Sequence, residues 1–260
     1  MLKRAVLGID AAWTETNASG LALAAETSAG WELVAVAPSY QSFISDSGGR
    51  CVDSIPKAPD LLEACQNRLG RPVNIVAIDM PLSNKPIIGR RAADDAVSRA
   101  YGGRKCGTHT PSSKRPGKIS DNLRKGFALA GYPLLTTAMS ASGLIEVYPH
   151  PALIELATAP ERLKYKVGKA RNYWPSLSPA ERRQMLLRSW AEIAHLLERE
   201  IRGVITSLPT LGVNPTGVQL KSFEDILDAI VCAWVAICAL DGRVRGFGDD
   251  DAAIWVPMAG

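Results

Sequence analysis

Two short apolar runs in this chain each end in an aspartate. Ala5 to Ile9 leads into Asp10, and Val73 to Ile78 leads into Asp79. A third aspartate, Asp228, stands among Ile226, Leu227, Ala229, Ile230, Val231, Cys232 and Ala233. An ionised carboxylate in such surroundings is costly unless a cation or hydrogen-bond donors compensate it. Asp225 lies three residues earlier, on the same face of a helix. It has a purely structural reading as well, because Ser222 placed three residues before it forms a capping box. Glu146 alternates with Ile145 and Val147 and so shares a strand face with Leu144 and Tyr148. His150, between Pro149 and Pro151, can orient a water or a phosphate, or simply begin a helix. Lys221, one residue ahead of the expected final helix, is placed to contact a phosphate.

These residue types specify a chemistry. Two like charges about 4 Å apart repel by roughly 4 kcal/mol at an effective dielectric near 20, so convergence of Asp10, Asp79 and Asp228 demands a cation. An all-oxygen ligand set in a chain with only three histidines selects Mg²⁺ or Mn²⁺ rather than zinc. Two such ions about 3.5–4 Å apart activate a water and stabilise the leaving oxygen in phosphodiester cleavage. The expected metal ligands are Asp10, Asp79 and Asp228, assisted by Asp225 or Glu146, with Lys221 at the scissile phosphate.

Charge distribution points to the same kind of substrate. From Lys85 to Lys125 there are eleven Lys/Arg and three acidic residues, a balance of +8, and the remaining nineteen basic and twenty-three acidic residues give −4. A basic segment of this kind suits a surface that meets phosphates, although a solvated loop has the same composition. Arg91, Arg99, Arg104, Lys105, Lys114, Arg115 and Lys118 are its candidate phosphate contacts, with DNA or RNA as the partner.

The elements that must position these groups emerge from periodicity. Ala5–Asp10, Leu21–Ala25 and Trp31–Ala37 read as three strands with tight connections, an antiparallel meander. After an aperiodic stretch from Ser39 to Pro59, Asp60–Leu69 has helical spacing and Val73–Asp79 reads as a buried strand. Residues from about 81 to 137 are basic and rich in Gly, Pro and Ser, and read as an insertion with one helical stretch near Arg91–Tyr101. Leu144–Tyr148 resumes as a strand. A long helix then starts at Ser178, with Pro179 at its first position and Glu181 completing a capping box. The final helix is expected from Ser222 to about Leu240, and Ala252–Val256 as a short strand closing an edge. The predicted fold is therefore one α/β domain over residues 1–260, a mixed sheet of RNase H-like order with flanking helices.

Other classes fit less well. Hydrophobic residues at 47% and charged residues at 22% describe a globular chain. The five cysteines are scattered and form no CxxC pair, which argues against a zinc knuckle or a disulfide framework and for a reducing, cytoplasmic setting. The apolar run after Met1 meets Asp10 too soon for a signal peptide, and Ile226–Leu240 is too short to span a bilayer, so no membrane partner is expected.

Several stretches together resemble a family of proteins described as predicted RNase H-like nucleases (domain-of-unknown-function family 429). They are Gly8-Ile9-Asp10-Ala11-Ala12, Ile78-Asp79-Met80-Pro81-Leu82, the spacing of Arg91, Asp94 and Arg99, Glu146-Val147-Tyr148-Pro149-His150-Pro151, and Lys221 with Asp225-x-x-Asp228-Ala229. Asp225 to Ile230 also looks like the last helix of Holliday-junction resolvases, where two acids three apart face the metals. The resemblance implies an RNase H-like core, an acid cluster and a metal-dependent nuclease. Two rivals stand beside it. One is a nucleic-acid or protein binding module with a vestigial site. The other is an ATP-using phosphotransferase of the actin-like kind, which needs two such cores and a Gly-rich hairpin where this chain has Ala11-Ala12-Trp13.

Overall fold

The structure is a computed structural model that describes residues 2–14, 16–46 and 57–258. Seven strands form one mixed sheet in the order β3-β2-β1-β4-β5-β7-β6. The strands are β1 (Ala5–Asp10), β2 (Gly20–Thr27), β3 (Gly30–Ala37), β4 (Ile75–Asp79), β5 (Gly143–Val147), β6 (Val244–Gly248) and β7 (Ala253–Pro257). The first three run antiparallel, β4 lies parallel to β1 and to β5, and β7 lies parallel to β5. Nearly every residue of β1, β4, β5 and β7 is buried, as expected of strands covered on both faces.

Helices complete both layers. They are α1 (Tyr40–Ser45), α2 (Ala58–Leu69), α3 (Ala92–Tyr101), α4 (Lys118–Leu129), α5 (Pro149–Ala157), α6 (Ala170–Tyr173), α7 (Pro179–Glu200), α8 (Val204–Ser207) and α9 (Gly217–Leu240). Alternate strand residues feed two cores. Val6, Ala22, Ile75 and Ile145 meet α5, α7 and α9 on one face, whereas Leu7, Leu23, Val76 and Leu144 meet α1, α2 and α4 on the other. A third, smaller cluster joins Ala93, Val97 and Tyr101 of α3 to Ile254 and Val256 of β7.

Several expectations need correction. The final helix starts at Gly217, not Ser222. Thr216 is the N-cap, its hydroxyl accepting from the Gln219 N–H while the Gln219 side chain accepts from the Thr216 N–H. Ser222 and Asp225 lie inside the helix, so Asp225 has no capping role. The short C-terminal strand does not close an edge, because β7 lies between β5 and the unexpected strand β6. The basic segment contains a second helix, α4, whose Leu123 and Phe127 pack into the core on the α2 side. Within the stretch from Ser39 to Pro59, α1 is capped by the Ser39 hydroxyl, and residues 47–56 lie outside the described residues. The Ser178–Glu181 capping box forms as expected at the start of α7. Cys65, Cys106, Cys232 and Cys238 are free and buried, and Cys51 lies outside the described residues. Among the described residues no helix is long and apolar enough to cross a membrane.

The seat of α9 governs where the acids meet. It packs across β1, β2 and β4 with almost all of its length buried. At Gly8 an added Cβ would collide with the Ala229 carbonyl and the Ala233 amide of α9, and at Gly20 with the Asp225 carbonyl. Helix and strand backbones therefore touch directly, as only glycine permits. Gly8→Ala should lower unfolding free energy by about 3 kcal/mol or more, because backbone rather than a flexible side chain must move. Gly89→Ala, where nothing lies within 4 Å, should change little. Urea unfolding of both variants checks this, and equal stabilities would show that α9 is not seated as described.

Candidate functional site

Parallel pairing of β1 with β4 sets Asp10 opposite Asp79. Side chains alternate along each strand, so both carboxylates share the sheet face covered by α9. They open into a cavity of about 1000 Å³ at the carboxyl ends of the parallel strands, whose wall also includes Trp13, Arg115, Lys166, Lys221 and Asp225. From α9 come Glu224, Asp225 and Asp228, with Asp228 three and four residues beyond the other two and hence on nearly the same face. Asp228 is 0% exposed and lies behind the cavity wall.

The acids on α9 are each held by a donor. Tyr165 donates its hydroxyl to Asp228 Oδ1 at 2.7 Å, and Lys166 Nζ donates to Asp228 Oδ2. Lys166 also lies 3.5 Å from Glu224 Oε1, while the Val167 N–H donates to Glu224 Oε2. Lys221 Nζ pairs with Glu224 Oε1 at 3.0 Å and with Asp225 Oδ1. By contrast, no described residue donates a hydrogen bond to the carboxylate of Asp10 or Asp79.

Electrostatics follows from that asymmetry. Burial, and next the neighbouring Asp228, hold Asp10 well above the usual carboxylate range, with Lys166 opposing. Burial pushes Asp79 up to about 7, again against the pull of Lys166. Asp228 is raised by burial while Lys166 and Tyr165 oppose. Burial alone would depress Lys166, but Asp228, Tyr165 and Asp10 carry it well above its ordinary value. A lysine thus stands in the middle of the cluster as its fixed positive charge.

Glu146 does not join this cluster. It stands opposite Ile78 rather than Asp79, which puts it on the other sheet face. There Arg91 grips it through two hydrogen bonds of 2.6 and 2.7 Å, the Leu82 N–H donates to it at 2.7 Å, and Arg91 also binds Asp94. Arg91, with its side chain 8% exposed, is therefore not free to grip a substrate phosphate as expected from its place in the basic segment. Arg104 and Lys105 are likewise engaged, pairing with Glu155 and Glu161. Arg99, Lys114 and Lys118 are exposed but do not line the cavity at the acids. Arg115 does line it, with its guanidinium 5.8 Å from the ring centre of Trp13.

Asp10 and Asp79 offer hard oxygen donors with no hydrogen-bond partner in a site short of positive charge, which suits a hard divalent cation. A complete ligand set is not preassembled: among the described residues no three His, Cys, Asp or Glu side chains are gathered closely enough to hold a metal ion. Lys166 and Lys221 occupy the carboxylates of Asp228 and Asp225 that would complete it. Sequence reasoning missed Tyr165, Lys166 and Glu224. The spacing of Glu224 to Asp228, one helical turn, could have signalled the last; nothing local marks Lys166.

Two outcomes are expected. The folded-state pKa of Asp79, about 7, exceeds the ~3.9 of an unfolded aspartate. The native state therefore binds the extra proton between those values, and stability in chelator should fall as pH rises from about 4 to about 7. Asp79→Asn should flatten that slope in urea unfolding; an unchanged slope would assign it to another group. Arg91→Met, which leaves Glu146 and Asp94 buried and unpaired, should cost about 3–5 kcal/mol of stability in the same measurement.

Neither the curated proteins nor the solved structures compared with this chain gave a match. A family profile does match, over residues 8–253, and its span takes in both strand-end aspartates, the Arg91–Glu146 pair and the acidic face of α9. The chain belongs to the family described as proteins of unknown function (DUF429).

Proposed function

We propose that this chain is a metal-dependent phosphodiesterase that hydrolyses DNA or RNA on an RNase H-like core. The observation that carries the reading is the pair Asp10 and Asp79, side by side at the ends of adjacent parallel strands, without donors, opening on a wide cavity. Ligand sites in sheets of this kind lie beyond the carboxyl ends of the strands. The RNase H-like assignment is supported by the order of the sheet, an antiparallel meander whose first strand pairs in parallel with β4, and β4 in turn with β5.

Mg²⁺ or Mn²⁺, held by Asp10 and Asp79 and joined by Asp225 and Asp228 once Lys221 and Lys166 release them, would supply the positive charge that activates a water and steadies the leaving oxygen. The chain's own residues do the rest. Lys221 and Arg115 line the cavity and attract the phosphodiester backbone. Trp13, lining the same cavity, presents an aromatic face on which a base can stack. Tyr165 and Lys166 hold Asp228 in place and balance its charge.

A second reading, a binding module that does not cut, is favoured by the lysines themselves, since Lys166 and Lys221 already neutralise part of the acid cluster. Incubation of labelled DNA and RNA with the protein and Mn²⁺ separates the two. Cleavage should appear, and Asp10→Asn should reduce it at least ~100-fold, more than loss of a residue that only orients a ligand. Mn²⁺ should also raise the melting temperature of the unmodified protein and not that of Asp10→Asn. Retained affinity with no cleavage and no melting shift would leave the binding module.

A further inference from the structure

A second cavity, of about 360 Å³, adjoins the first and shares Trp13, Asp79, His109, Lys166 and Lys221 with it. Its size is at the lower end of the range for small-molecule sites. The larger lies over Asp10 and Asp79, and the smaller runs from Asp79 to Tyr148 and His150 at the start of α5.

The groups that line the smaller cavity divide into paired and unpaired. Arg91 is taken up by Asp94 and Glu146, and Glu224 by Lys166, Lys221 and the Val167 N–H. Arg162 and Lys169 have no carboxylate partner among the described residues, and Arg162 Nε is a buried donor without an acceptor. His150 is 5% exposed, and its Nδ1 has no hydrogen-bond partner. Its ring stands edge-to-face against Tyr148 and Tyr165, each at 5.3 Å between centroids, so it is held rigidly. Unsatisfied buried polar groups of this kind call for a ligand or ordered water. Two cations without carboxylate partners, an unpartnered imidazole and the Tyr148 ring along one cavity match a phosphate joined to a heteroaromatic ring.

We propose that the smaller cavity is a subsite for one nucleotide unit, its phosphate on Arg162 and Lys169 and its base against Tyr148 and His150. This deepens the phosphodiesterase reading and rests on it for the substrate class. The unit next to Asp79 is then a single nucleotide, either free or at the end of a strand, while the larger trough takes the continuing strand.

Calorimetric titration in chelator, without metal, tests the subsite apart from catalysis. Adenosine 5′-monophosphate should bind about tenfold or more tighter than adenosine or inorganic phosphate. Arg162→Gln should reduce its affinity about tenfold and leave adenosine unchanged, as expected for loss of a charge-assisted contact. Lys169→Gln, at an exposed position that the fold does not need, should weaken it in the same sense. Competition then identifies the source: displacement by a 5′-phosphorylated linear oligonucleotide but not by its circular form assigns a strand end, and displacement by neither assigns free nucleotide. Equal affinity for nucleotide and nucleoside, or no effect of either substitution, would overturn the subsite. Mn²⁺-dependent cleavage in a protein that binds no nucleotide would overturn it while leaving the phosphodiesterase reading intact. Nucleotide binding without cleavage would do the reverse.

Discussion

The backbone of α9 rests on the backbones of β1 and β2, and at Gly8 and Gly20 nothing larger than hydrogen fits between them. That contact dictates the remaining geometry. It brings the acidic turn Glu224–Asp228 to the end of the sheet where β1 and β4 stop, and so places the α9 acids beside Asp10 and Asp79. It also buries the apolar remainder of α9 against strand faces that alternate between two cores. A helix held one side chain farther away would leave the same five carboxylates on the chain with no shared site.

Burial removes water from those acids, and the fold compensates them unevenly. Asp228 and Glu224 are satisfied by Tyr165, Lys166 and the Val167 N–H, and Asp225 by Lys221. Asp10 and Asp79 have no donor and are left with the fields of Lys166 and Lys221. In a packed interior such an arrangement is stable only if those two groups take up protons or meet a cation. The same residues whose burial costs stability are therefore the ones able to act on a ligand, as is usual where pKa values depart furthest from normal.

The segment between β4 and β5 illustrates how composition and structure can diverge. Its excess of Lys and Arg suggested a surface committed to phosphates. Instead Arg91 and Arg104 anchor the segment to Glu146 and Glu155, and α4 docks on α2 through Leu123 and Phe127. To the cavities the segment contributes Arg91 and Asp94 at the start of α3 and a stretch around Thr108, His109, Thr110 and Arg115. Among the described residues Lys85, Arg90, Arg91, Arg104 and Lys105 thus form ion pairs within the protein, and Arg115 faces the larger cavity.

By itself the sequence determined the elements: the strands ending in Asp10 and Asp79, the capping box at Ser178, and a buried final helix with an unexplained Asp228. These are local properties, set by side-chain period, capping chemistry and the cost of an isolated charge. Register is not local. Only pairing decided that Asp10 stands opposite Asp79 while Glu146 stands opposite Ile78, and one residue of register moves a strand side chain to the other face. Nor could spacing reveal that Lys166, 62 residues before Asp228, would become its counter-ion. That partnership depends on where a loop crosses α9, a matter settled by packing between segments distant in the chain.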